Sequence, residues 1–217
     1  MKSISKILFL TIFTLSSFQA MSQLSIGTRA GVNFAYIITD DSSGDEVFTP
    51  GLVIVVPFDI GIVKKFSIQP EFMYIQKGFG ENYIFSSTEV KSKLVVNQID
   101  IPVFAKFSFV NTDEILAYLG GGPVIGYALN AKVKVEANGQ KQEESISFTD
   151  LEYNRLEIGA TFGLGVGVGV GFGHIIFDTR FILGLTNLDS SGYSTVANNI
   201  GFAFTLGYMA PLTGGEE

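Results

Sequence analysis

Seven charged residues of this 217-residue chain stand inside otherwise apolar segments, where charge is costly unless it is paired. Asp178 and Arg180 are the clearest pair, because residues two apart on a β-strand point to the same side. The same alternation places the other five opposite the large apolar residues: Arg29, Glu71, Asp100, Lys106 and Glu157. Such a set can form interlocking ion pairs or line a path for ions or protons. We favour the ion-paired, structural network.

The residue types in this chain give little support for a catalytic function. His174 is the only histidine and could act as a general base for a serine nucleophile, but no serine stands out as its partner. A zinc site would need more nitrogen and sulfur ligands than a chain with one histidine and no cysteine offers. We therefore predict a non-enzyme with no catalytic residue and no metal.

Two further motifs have an ordinary structural interpretation. The acidic run Asp40, Asp41, Asp45 and Glu46 could bind a divalent cation through oxygen ligands. Because it lacks the spacing of an EF-hand, we interpret it as a solvated acidic loop. The glycines at 159, 163, 165 and 167 could make room for a large side chain or a small ligand. We favour strand curvature and tight packing. No nucleotide-binding glycine motif is present, so no cofactor is predicted.

Strands must position these residues. Eight segments alternate apolar and polar residues, at 24–34, 49–60, 66–77, 94–107, 115–129, 153–167, 174–184 and 198–209. The second is apolar on both faces, so its register stays open. Each is long enough for a tilted membrane crossing, which needs about 9–11 residues. The gaps alternate long and short, which is typical of an up-and-down barrel with long loops on one side.

The predicted fold is therefore all-β, an eight-stranded antiparallel up-and-down transmembrane β-barrel over residues 23–209. An even strand count lets the first and last strands pair and leaves no open edge in lipid. The long gaps at 35–49, 78–93, 130–152 and 185–198 become extracellular loops, and they carry most of the excess negative charge.

The two ends of the chain are interpreted separately. Residues 1–22 resemble a cleaved signal peptide, with Lys2 and Lys6 before an apolar run and a small-x-small site at 20–22. That run is too short for a membrane-spanning helix, which needs about 20 residues. Residues 210–217 form a short tail after the last strand.

Six sequence segments, taken in their order along the chain, indicate a resemblance to a known protein family. They are "IGTRAGVNFA", "FSIQPEFMYIQKGFG", "QIDIPVFAKF", "YLGGGPVIGYAL", "DTRFILGLTN" and "IGFAFTLGY". The chain resembles the PorT-like outer-membrane β-barrel family, the outer membrane protein beta-barrel domain proteins. The resemblance implies an eight-stranded barrel in a Gram-negative outer membrane and implies no reaction. Members of such families often end on an aromatic residue, whereas here Tyr208 and Met209 precede the tail "APLTGGEE".

The predicted function is an integral, multi-pass outer-membrane protein with a structural or surface-interaction role. Its predicted partners are outer-membrane lipid and lipopolysaccharide, the barrel-insertion machinery and an unidentified surface or envelope protein. The net charge of −7 argues against a nucleic-acid partner.

Three alternatives to this function stay open. A narrow pore for small solutes would conduct, and an outer-membrane enzyme acting on lipid would need a nucleophile beside a base at the outer rim. A soluble lipocalin-like binder of an apolar ligand would reverse the two faces. Large outward apolar residues and a lack of tryptophan argue against the last.

Overall fold

The computed structural model describes residues 24–39, 46–85, 88–191 and 197–212. The predicted signal peptide, the acidic residues at 40, 41 and 45 with the side chain of Glu46, and the end of the tail lie outside the described part. No helix within these ranges is long and apolar enough to cross a membrane.

The described residues form ten β-strands, eight of them long. The long ones are β1 (Leu24–Thr39), β3 (Thr49–Val63), β4 (Phe66–Phe85), β5 (Thr88–Asn111), β6 (Ile115–Ala137), β8 (Leu156–Val170), β9 (Gly173–Gly184) and β10 (Ala197–Pro211). The short ones are β2 (Glu46–Val47) and β7 (Gln140–Ile146). The all-β antiparallel prediction is confirmed.

The eight long strands close into a ring. The antiparallel order runs β1, β3, β4, β5, β6, β8, β9 and β10, and β10 pairs with β1 along fifteen residue pairs from Ser25↔Pro211 to Thr39↔Ala197. Every long strand thus has two hydrogen-bonded neighbours, and the ring itself has no free edge. Short turns at 64–65, 112–114 and 171–172 lie at one end, called here the turn end. The longer connections lie at the other, the loop end.

Alternation along each strand separates two faces. On β8 the outward Phe162, Leu164 and Val166 are 55%, 55% and 50% exposed, whereas Glu157 and Thr161 are buried inside. The open register of β3 is settled in the same way, since Val53 and Val55 point inward and Ile54 outward. Apolar residues outside and charges inside are the reverse of what the soluble, lipocalin-like alternative requires.

Two of the predicted loops are wrong, because strands occupy them. Most of 78–93 belongs to β4 and β5, and 130–152 contains the end of β6 and all of β7. Beyond Ile75 and Tyr127 these strands leave the ring and pair only with one another and with β2. The protruding sheet, defined as residues 78–85, 88–95 and 131–146, therefore extends past the loop end. Ala131, Val133 and Val135 alternate with Lys132, Lys134 and Glu136 as in a strand, but the many lysines and glutamates favoured a loop in the sequence analysis.

Candidate functional site

Four side chains inside the ring form a square of alternating charge, the arginine–carboxylate square. Arg29 of β1 bonds Glu71 of β4 at 2.7 Å and Asp178 of β9 at 2.8 Å. Arg180 of β9 closes the square through Asp178 at 2.8 Å and Glu71 at 3.0 Å. All four residues are buried. Each charge therefore faces two of the opposite sign, which is the arrangement that offsets the loss of water around it.

Neighbouring side chains add hydrogen bonds to the square, although the buried Arg29 Nε and Arg180 Nη1 have no hydrogen-bond partner among the described residues. The Tyr118 hydroxyl donates to Asp178 Oδ2 at 2.6 Å and accepts from Arg29 Nη1 at 3.2 Å. Gln69 Nε2 donates to Glu71 Oε1 at 2.5 Å. The Arg180 guanidinium lies 3.5 Å from the ring centre of Phe104, a cation–π contact in a water-poor setting.

Glycines on β8 make room for this square. Gly165 pairs with Asp178, and a methyl group on it would overlap the ring and the hydroxyl of Tyr118. Gly163 pairs with Arg180, and a methyl group there would meet the Arg180 Cδ at 2.5 Å. At these two positions the structure supports the interpretation that sequence analysis ranked second, space for a large side chain.

A second cluster lies nearer the loop end, the lysine–carboxylate cluster of Lys77, Asp100 and Glu157. Lys77 Nζ bonds Asp100 at 3.0 Å and Glu157 at 3.1 Å. The amide of Gln98 donates to both carboxylates, at 2.7 and 2.9 Å. Asn199 Nδ2 donates to Glu157 at 3.0 Å.

Lys106 lies on the turn-end side of the square. Its ammonium bonds the carboxylate of Asp59, donates to Gln69 Oε1 at 3.3 Å and lies 4.9 Å from the ring centre of Tyr118. The seven residues singled out by the sequence are thus all placed inside the ring, in three connected or neighbouring groups. Sequence reasoning missed Lys77, Asp59 and Tyr118.

An apolar layer separates the square from the lysine–carboxylate cluster. Along the inward face of β4 the order is Glu71, Met73, Ile75 and Lys77. Met73 and Ile75 pack with Val53, Val55 and Ile182 in a buried apolar group. Along β4 a polar, an apolar and a second polar level therefore follow one another. The buried polar residues Asn33 and Thr161 lie beside the apolar group, since they pair with Ala203 and Ile182.

His174 lies apart from the charged interior. His174 is at the turn end, where its Nε2 lies 3.1 Å from the Thr112 carbonyl oxygen, away from the interior carboxylates. No group of three or more histidine, cysteine, aspartate or glutamate side chains in the described ranges is arranged to hold a metal.

Comparison with known proteins gives one strong match. Residues 16–190 match the family model described as outer membrane protein beta-barrel domain. No curated protein matches the chain.

Among solved structures, similar folds include the attachment invasion locus protein Ail of Yersinia pestis, at 12% identity and a TM-score of 0.44 over 87% of this chain and 99% of that one. Neisserial surface protein A is similar at 12% identity and 0.45, over 86% and 96%. The N-terminal β-barrel domain of OprF from Pseudomonas aeruginosa follows at 11% identity and 0.29, over 85% and 99%.

Proposed function

The chain belongs to the outer membrane protein beta-barrel domain family of the Gram-negative outer membrane, and on that premise we propose that it is a plugged, non-enzymatic surface barrel. In this proposal the eight long strands span the membrane, residues 1–22 are the export signal, and the chain falls in the PorT-like branch of such barrels. The loop end faces outward and the turn end faces the periplasm.

The filled interior is the observation that carries the proposal. Eight strands leave an interior just wide enough for side chains. Here the arginine–carboxylate square and the lysine–carboxylate cluster fill it, with the buried layer of Val53, Ile75 and Ile182 between them. A continuous water path would have to displace that apolar layer. The pore alternative would require this buried apolar group and the ion-paired side chains on either side of it to move apart.

The protruding sheet supports the surface role. It carries exposed charges of both signs, for example Lys132 and Lys134 beside Glu143. Placed beyond the apolar outer face of the ring, it would meet lipopolysaccharide or another envelope protein, whereas the apolar face would meet lipid. The last strand, with Phe202 and Phe204 exposed on the outer face, would be presented to the barrel-insertion machinery.

Planar-bilayer recording tests the plugged state. We expect no stepwise conductance after insertion of the purified protein, under conditions in which a porin inserted as a positive control gives regular steps. Reproducible steps from this protein would contradict the plug and restore the pore alternative.

A further inference from the structure

The loop end contains a cup that the plugged barrel does not explain. Its volume is about 350 Å³, within the range of small-molecule sites. Apolar side chains from five parts of the chain line it: Phe79 of β4, Leu94 of β5, Val133 of β6, Leu151 from the connection before β8 and Leu188 from the connection after β9. The cup lies on the loop-end side of the lysine–carboxylate cluster. It is therefore separate from the apolar outer face of the ring.

The rim of the cup is held by the main chain. The connection before β8 and the connection after β9 are joined by hydrogen bonds from Asn154 N to the Leu188 oxygen and from Ser190 N to the Glu152 oxygen, both 2.7 Å. A β-bridge pairs Tyr153 with Asp189 between them. These bonds fix two sides of the cup before any ligand arrives, which lowers the ordering cost of binding.

The charge of the lining has one sign. Among the residues that the structure describes, Glu81, Glu152 and Asp189 line the cup, and no lysine or arginine does. Within the described ranges, neither Glu81 nor Glu152 forms an ion pair, although other glutamates of the protruding sheet do. Three carboxylates around an apolar floor complement a positive group on an apolar body. The aromatic rings of Phe79 and Tyr153 add faces to which a cation is attracted.

We propose that this cup binds a small amphiphilic cation, an apolar amine or quaternary ammonium compound. The apolar body would occupy the space between Phe79, Leu94 and Val133, and the cationic group would lie at the rim beside Glu81 and Glu152. The site depends on the local geometry of the loop end alone. Its failure would leave the proposed plugged barrel untouched, since conductance and membrane residence are measured separately.

The test uses the purified full chain in nanodiscs of an uncharged galactolipid, so that the lipid supplies neither amine nor anionic groups. Benzyltrimethylammonium is titrated by ligand-observed NMR, with empty nanodiscs as the baseline and benzenesulfonate as the anionic probe of similar size. We expect saturable binding of the cation at one site and none of the anion. Absence of saturable binding, or equal binding of both probes, would overturn the proposal.

Two variants with matched controls locate the site. Glu81→Gln with Glu152→Gln should weaken cation binding by at least about tenfold, whereas Asp113→Asn with Glu114→Gln removes two carboxylates at the turn end and should leave it unchanged. Val133→Trp fills the cup and should abolish binding. Val168→Trp, on the outer face near the turn end, should not. Equal losses in a variant and its control would show nonspecific attraction and contradict the assignment.

Discussion

Glu71 holds two guanidinium groups at once, so its removal is the most direct perturbation of the interior. Arg29 and Arg180 both bond its Oε1, and all three side chains are buried. Glu71→Ala would remove one of the two carboxylates that each arginine bonds and would leave only Asp178 for both. We expect a loss of about 3–5 kcal/mol in the free energy of unfolding, the usual result of breaking a buried ion pair from one side. Urea titration followed by far-UV circular dichroism measures it.

The matched control is Glu143→Ala. Glu143 also contacts two cations, Lys132 at 2.6 Å and Lys134 at 3.2 Å, but on an exposed part of the protruding sheet. Exposed pairs contribute little, so no measurable change in the unfolding midpoint is expected. Equal effects of the two substitutions would mean that burial does not set the strength of the square.

Gly165 tests how tightly the interior is filled. Gly165→Ala would bring a methyl group against the Tyr118 ring, which is held by Asp178 and Arg29 and cannot easily move away. Overpacking of this kind costs about 1–3 kcal/mol. The control is Val166→Ile, which adds one methylene on the outer face of the same strand and should be neutral in the same urea titration. A neutral Gly165→Ala would show that the interior has spare room.

Residue types alone predicted which charges lie inside but not how they pair. Strict alternation places Glu71 and Asp178 inward, and the structure puts them there. Lys77 continues the same alternation past Met73 and Ile75, yet it stood at the edge of a predicted loop and was overlooked. Asp59 was missed because β3 is apolar on both faces, and Tyr118 because an inward tyrosine looks like any other core aromatic residue.

At the scale of elements, the ring strands were predicted and the protruding sheet was not, although its sequence contains two strand signals. In β6, Ala131, Val133 and Val135 alternate with lysines and a glutamate, and Ala131 and Val133 pack with Leu94. The dipeptide Asn138-Gly139, with φ values of 52° and 75°, makes the tight turn between β6 and β7. The high content of lysine and glutamate favoured a loop instead, because cross-strand charge pairs give a strand the composition of a solvated segment.

The hairpin of β6 and β7 is predicted to respond to acid. Hydrogen bonds from Lys132 and Lys134 lower the pKa of Glu143 below its ordinary value. A carboxyl group with a lowered pKa supports the folded hairpin above its ordinary pKa and loses that contribution as the pH falls through the lowered one. We expect faster amide hydrogen exchange in β7 at acidic pH, after correction for intrinsic rates, with the ring strand β9 unchanged.

The double substitution Lys132→Ala with Lys134→Ala should shift the Glu143 pKa, measured by NMR, back upward. An unchanged pKa would contradict the ion pairs.

For the whole molecule, the closure of β1 onto β10 and the outward apolar face are two requirements of the same lipid environment. A ring with no free edge satisfies its backbone within itself, which a strand structure needs in lipid. The charged interior is then a consequence of the same alternation, since the face turned away from lipid must be filled. Sequence periodicity could predict this closure because it depends on strand number and face. The cup depends on contacts between segments that are far apart in the sequence, which no local pattern records.

The most direct test of the closed, membrane-resident ring is electrophoretic mobility of the outer-membrane fraction with and without boiling. A closed ring resists detergent until heated, so we expect the protein in the membrane fraction and two different mobilities for boiled and unboiled samples. A protein found in the soluble fraction with one mobility regardless of heating would contradict the account. The inward and outward faces would then have to be exchanged.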